Sequence, residues 1–204
     1  MGPLRRGEAQ RIDVPGPALG LVEVQSIARG ITVADAMVKR AQVALLLNRP
    51  VSPGKHLSLC SGEVADVEEA MQAGLAQAGT TVCDHLLLPQ VHDELIAAFR
   101  RPASLALTED LSLGILETYS AAATIVGADG ACKAAEVHIA ELRLCDGLGG
   151  KGFAIFVGEQ DMVEAALLAA EALLTPGLFL GRELIPRPHP DMLRTLLPGH
   201  GSHG

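Results

Sequence analysis

The stretch Gly147-Leu-Gly-Gly-Lys-Gly152 spells G-x-G-x-x-G, the pattern of a phosphate-cradling loop. Such a loop holds a pyrophosphate only where it opens a helix, whose N-terminal amides and dipole receive the negative charge. Here the glycines run into Phe153-Ala-Ile-Phe-Val157, a strand-forming run, and Gly152 stands where a Walker loop needs Ser or Thr. Nucleotide binding is therefore set aside, and a glycine-rich turn between strands remains. A second such turn is Ser52-Pro-Gly-Lys55. The two turns end in Lys55 and Lys151. Each ammonium either faces a shared solvent space, where like charges repel and draw anions, or folds sideways onto a carboxylate or into solvent. The sequence leaves both open.

Other reactive side chains are scattered. Glu23 and Glu117 sit inside apolar, strand-like runs, where a carboxylate is expected to be paired or at an interface. The seven histidines do not cluster; His92 and His189, each shortly after a proline, suit capping or edge roles better than metal ligation. Cys60, Cys83, Cys132 and Cys145 form no C-x-x-C pair and no zinc spacing, so four reduced, mostly buried thiols are expected. No nucleophile, base and orienter can be assembled, so neither catalytic residues nor a metal site are expected.

Composition bounds the partners. The chain has 204 residues, a net charge of −8, 49% hydrophobic residues and no Trp. Its core must be built from Ala, Val, Leu and Ile in thin, closely packed layers. No basic stretch is interleaved with aromatics, which argues against nucleic acid. No apolar run approaches the ~20 residues of a membrane span. The polar lead 1–17 lacks a signal-peptide core, so a cytoplasmic protein with a flexible lead and a loose tail at 197–204 is expected.

The elements that must position these residues come twice. Leu19-Gly-Leu-Val-Glu23 matches Leu113-Gly-Ile-Leu-Glu117 at an offset of 94, which persists through Ser26 and Ser120, Asp35 and Asp129, and Lys39 and Lys133. The offset becomes 96 at Gly54-Lys55 and Gly150-Lys151, then 97 at Pro89 and Pro186 and at His92 and His189. Offsets that change only at loops mark a duplication. Strands are expected at 18–25, 43–49, 56–61 and 82–88, with helices at 31–41, 64–78 and 91–99. The second copy reads strand 112–118, helix 121–135, strands 137–144 and 152–157, helix 160–174, strand 178–185. The fold class is α+β: two tandem βαββαβ domains at 18–100 and 111–196, joined by a linker at 101–110, each an antiparallel sheet with helices on one face.

Taken together, Gly20-Leu-Val-Glu23, Ala34-Asp-Ala-Met-Val-Lys39, the two glycine turns and Ile185-Pro-Arg-Pro-His189 resemble the bacterial microcompartment domain, in its non-permuted tandem class. The resemblance covers residues 18–195. It implies a structural shell protein rather than an enzyme: a homotrimer forming a flat pseudohexamer that tiles a facet with other shell proteins, and a central pore passing small polar or anionic metabolites. It implies a pore lined by Ser52, Pro53, Gly54, Lys55, Leu148, Gly149, Gly150 and Lys151, and edge contacts at Lys39, Lys133, Arg187 and His189. Gln90 stands where the second copy has Arg187, so alternate edges differ. Some family members carry a Cys before this Pro-Gly-Lys, and three such thiolates hold an iron–sulfur cluster. With Ser52 there, a poor iron ligand, no cofactor is expected. The alternatives are a trimeric regulator sensing a small ligand between subunits and, further off, an enzyme using the glycine turn as an anion site.

Overall fold

The computed structural model describes residues 15–100 and 110–197. The expected linker lies outside them except for Asp110, as does most of the lead and tail. Where lead and tail are described, they are packed. Gly16 exchanges hydrogen bonds with the Ser61 hydroxyl at 3.3 Å, and Val91 donates to the Pro17 carbonyl at 3.0 Å. Leu197 is buried against the second sheet.

The first domain runs β1 Ala18–Val24, α1 Ile27–Arg40, β2 Ala44–Val51, β3 Lys55–Gly62, α2 Val64–Ala78, β4 Val82–Leu88 and α3 Asp93–Arg100. The second runs β5 Ser112–Thr118, α4 Ala121–Ala134, β6 His138–Leu144, β7 Gly152–Gly158, α5 Gln160–Leu173, β8 Phe179–Pro186 and α6 Pro190–Leu196. The sheets are antiparallel, with orders β2-β3-β1-β4 and β6-β7-β5-β8. Helix α1 begins four residues before the expected 31. The reason is Ser26, whose hydroxyl accepts the Arg29 N–H as an N-cap, as Ser120 does for Ala123 at α4. Helix α6 was not expected; His189 caps it, Pro190 opens it, and Asp191 suits its first turn.

Alternation along the strands feeds two faces. In the first sheet Ala18, Val22, Val24 and Cys60 pack with Val33, Met37, Val67 and Met71 of the long helices. Leu19, Leu21, Leu57 and Leu59 point the other way and join Val91, Leu95 and Phe99 around α3. In the second sheet Leu113, Ile155 and Val157 meet Met192, Leu193 and Leu197 around α6. Helices therefore cover both faces, not one: the long pair on one, the short C-terminal helix on the other. The cluster around α3 continues without a break into the second domain, through Ala121, Ile125, Ile139 and Leu144.

The copies have exchanged volume at one packed point. A Cβ on Gly30 would stand 2.3 Å from Cγ of His56, and one on Gly152 would stand 2.1 Å from Oγ1 of Thr124. Gly30 and Thr124 are equivalent, as are His56 and Gly152. Each copy thus has one filler and one glycine, placed oppositely. His56 is buried, its Nε2 is 2.7 Å from Oδ1 of Asn48, and burial lowers its pKa. Overpacking costs about 1–3 kcal/mol, so Gly30→Thr should lower the melting temperature by several degrees. Adding His56→Gly should recover most of the loss, by reproducing the second copy's arrangement. A double variant no more stable than Gly30→Thr would refute this coupling.

Candidate functional site

The strand carboxylates and the turn lysines find each other. In the first copy Lys55 Nζ donates to Glu23 Oε1 at 2.7 Å; in the second Lys151 Nζ donates to Glu117 Oε1 at 2.8 Å. Of the two fates left open for these lysines, the structure takes the sideways one. Burial pulls the Lys55 pKa down, but the hydrogen bond and charge of Glu23 outweigh it, leaving the pKa above its ordinary value. Lys151 is raised by the same partnership with Glu117.

The two turns also meet. Gly150 is buried with φ 92°, and a Cβ there would lie 2.9 Å from Cδ of Pro53. Only glycine suits both that backbone conformation and that approach. Arg49 reaches from β2 into the second turn, its guanidinium gripping both oxygens of Asp146 at 2.6 Å. The first turn, Ser52, Pro53, Gly54 and Lys55, is thereby brought beside the second, Gly149, Gly150 and Lys151. Pro53, Gly54 and Gly149 are exposed there.

The neighbouring junction joins the domains. Glu23 is fully buried; its second oxygen accepts the Ala121 N–H at 2.9 Å, at the N-terminus of α4. No acidic residue lies in the first turn of α4, so Glu23 answers the helix dipole from another domain. Lys55 reaches the Tyr119 carbonyl at 3.4 Å, and the Ser120 hydroxyl donates to Asp84. Further along α4, Asp129 accepts the backbone N–H of His92 at 2.8 Å. Lys133 bridges Asp129, at 2.5 Å, and the carbonyl of Gln90. Glu94 of α3 accepts from the Ile139 N–H at 3.4 Å and sits 2.9 Å from Nδ1 of His138.

The same face of the first copy is open. Eleven of the 14 residues of α4 are buried, against four of the 14 of α1. Ile31 is 53% exposed where its counterpart Ile125 is 0%, and Ile27 is 41% exposed where Ala121 is 0%. The side chain of Asp35 is 57% exposed and that of Asp129 is 4%. Likewise the side chain of Glu117 is 41% exposed where that of Glu23 is 0%.

The remaining candidates divide. Lys39 pairs with Asp35 at 2.6 Å on the exposed end of α1. Arg187 is exposed at φ 47°, a left-handed conformation that few non-glycine residues adopt. His92 and His189 cap helices alike, each Nδ1 accepting at 3.2 Å the N–H two residues on. Among the described residues no group of three or more His, Cys, Asp or Glu is placed to hold a metal. Burial pushes the Cys60 thiol up to about 11 and those of Cys132 and Cys145 up to about 12, which keeps them unreactive. No described helix is long and apolar enough to cross a membrane. Sequence reasoning missed Arg49, Asp84, Glu94 and Asp146. Arg49 and Glu94 recur as Arg143 and Asp191, but those counterparts bond within their own elements, to Glu141 and Arg194, and Asp84 is matched by Gly181, so the repeat did not mark their roles.

Comparison with known proteins places this geometry. The BMC domain matches twice, over residues 18–91 and 112–188. The bacterial microcompartment shell protein PduT of Citrobacter freundii is 37% identical over 183 residues, covering 89% of this chain and 98% of that one. A crystal structure of a microcompartments protein from Desulfitobacterium hafniense DCB is 42% identical, with a TM-score of 0.78 over 88% of this chain and 99% of that one. The fused permuted hexameric shell protein MSM0275 from the RMM microcompartment, 22% identical with a TM-score of 0.59, shares the fold. These relatives are structural proteins rather than enzymes, and the regulator and enzyme alternatives find no support among them. With two BMC domains in uninterrupted order and similarity along nearly its whole described length, the chain belongs to the tandem BMC-domain family of bacterial microcompartment shell proteins.

Proposed function

We propose that three copies of this chain close into a ring of six domains that tiles a microcompartment shell, with a pore on the ring axis. The observation that carries this is the unequal burial of equivalent helices: α4 is covered by the first domain, while the matching face of α1 is open with Ile27 and Ile31 exposed. Applying the domain-to-domain relation once more sets the second domain of a neighbouring chain on that face. Two domains per chain and six places per ring require three chains.

The rim then alternates. Within a chain Lys133 lies beside Gln90; between chains the repeat sets Lys39 beside Arg187. Lys39, Lys133, Arg187 and His189 are the edge residues toward other rings and other shell proteins. Each edge is small, and many edges in a sheet add by multivalency. The paired turns gather around the axis, so that Ser52, Pro53, Gly54, Leu148, Gly149 and Gly150 line the pore. Lys55 and Lys151 stand behind them, neutralised by Glu23 and Glu117. Such a pore selects by diameter and by backbone dipoles more than by net charge. Glycine backbone at the exposed turn positions suits small polar or anionic metabolites. Ser52 supplies a hydroxyl where an iron–sulfur cluster needs a thiolate, so the pore carries no cluster.

Native mass spectrometry should give three times the 21.2 kDa chain mass; a monomer at all concentrations would overturn the ring. Negative-stain images of concentrated protein should show hexagonally packed sheets or tubes. Lys39→Ala combined with Arg187→Ala should abolish the sheets and leave trimers, whereas loss of the trimer would refute the edge assignment. Ser52→Cys, reconstituted anaerobically with iron and sulfide, should become coloured with visible absorbance. A colourless trimer would take Ser52 off the axis.

A further inference from the structure

We infer that the joint between chains reuses the junction inside each chain: Glu117 of one protomer caps α1 of the next, and Gly181 leaves that joint weaker than its internal counterpart. This rests on the trimeric ring proposed above and assigns residues to it.

The internal junction is the template. One oxygen of Glu23 holds Lys55 and the other accepts the first N–H of α4, at Ala121. Glu117 is already set in the same way, with one oxygen on Lys151 at 2.8 Å. In the sheets Glu117 occupies the place of Glu23: each lies on its domain's first strand, opposite the first residues after the turn lysine, with a register shift directly after it. The counterpart of Ala121 is Ile27, at the start of α1. That helix, like α4, has no acidic residue in its first turn, so its dipole also lacks a carboxylate of its own. Asp35 stands where Asp129 takes the His92 N–H; the repeated joint gives Asp35 the N–H of His189 from the neighbour. Opposite charge, matching apolar faces and an existing junction of the same kind all point to one occupant, a second copy of this chain.

The two joints differ in one contact that the register fixes. Asp84 pairs with Glu23 across β1 and β4 and accepts the Ser120 hydroxyl. The residue paired with Glu117 across β5 and β8 is Gly181. The hydroxyl of Ser26, equivalent to Ser120, therefore meets no carboxylate across the joint. The grip of Arg49 on Asp146 is missing too: Arg143, equivalent to Arg49, pairs with Glu141 on its own strand, and the first turn, Ser52-Pro53-Gly54, offers no acid. A ring with unequal joints opens at the weaker kind, between chains. Position 181 can accept a side chain: nothing lies within 4 Å of a Cβ built there, and its φ is not in the left-handed region.

The test is subunit exchange between two differently tagged batches of the full chain, followed by native mass spectrometry at a fixed sub-denaturing urea concentration at which the wild type exchanges over hours. Glu117→Ala should speed exchange at least tenfold. Gly181→Asp should slow it at least tenfold, while Gly181→Ala, which changes the backbone but adds no carboxylate, should leave it within threefold. Circular dichroism confirms that each variant is folded. Unchanged exchange in Glu117→Ala, or equal slowing by Gly181→Ala and Gly181→Asp, overturns the inference and leaves the trimer standing. A wild-type monomer overturns both.

Discussion

A carboxylate with no solvent contact, Glu23, is the constraint around which the two domains are joined. Removing such an ion from water costs several kcal/mol even after relaxation, about 20 in the idealised limit, and it persists only with near-complete pairing. Glu23 has one oxygen on Lys55 and the other on the N-terminus of α4. Neither donor suffices alone. The lysine comes from the turn after β2, and the helix from the other domain. Satisfying one buried charge thus fixes three things together: where the first turn lies, which way α4 points, and how close the domains approach. The continuous apolar cluster through Leu21, Ile125 and Ile139 supplies the driving force for contact, but apolar burial has no direction of its own. The carboxylate supplies it.

Duplication explains why a buried charge can be used this way. A symmetric ring of identical domains must solve every joint with the same residues. With two domains per chain, one joint is intramolecular and is made with no loss of translational freedom, while in the proposed ring the other would stay bimolecular. The internal joint has Asp84 on Ser120 and Asp146 on Arg49; Asp84 is matched by Gly181, and Arg143, the counterpart of Arg49, pairs with Glu141 on its own strand instead. The long helices diverged with it. Helix α4 is rich in Ala and Gly and fits between two sheets; α1 keeps a polar exposed end in Asp35, Lys39 and Arg40 beside its exposed Ile27 and Ile31.

Much of the fold was legible because the chain states it twice. Strand and helix order followed from the matched offsets, which also align Ser26 with Ser120, the residues that cap α1 and α4 in the structure. Reading the start of α1 at 31 ignored that cap, because Gly30 and the polar Arg29 interrupt the apolar period. Helix α6 was equally present in the repeat, at the expected first-copy helix displaced by 97, but the prolines around it read as the end of a strand. The site was legible only in part. The turns and their lysines stood out by composition. That Lys55 and Lys151 would pair with Glu23 and Glu117 did not, since strand register sets that distance and a lysine stem spans several alternatives. Arg49, Asp84, Glu94 and Asp146 were invisible for a deeper reason: they act between domains, and interdomain geometry leaves no periodicity in a sequence.

Charge placement in the turns bears on the proposed pore. Lysines after both turns suggest at first a strongly basic surface there. Tied to strand carboxylates they contribute dipoles rather than net charge, and the nearby Arg49 and Asp146 cancel as well. What the turns present is glycine backbone, held in left-handed conformations at Gly54, Gly147, Gly149 and Gly150, with Gly54 and Gly149 exposed. Around the proposed pore, fixed dipoles on a neutral frame would favour polar solutes over apolar ones without binding either sign tightly, since full charges would hold a counter-ion in place. If the turns line a pore as proposed, the lysine–glutamate pairs set its character by leaving paired rather than free charges beside the glycine backbone.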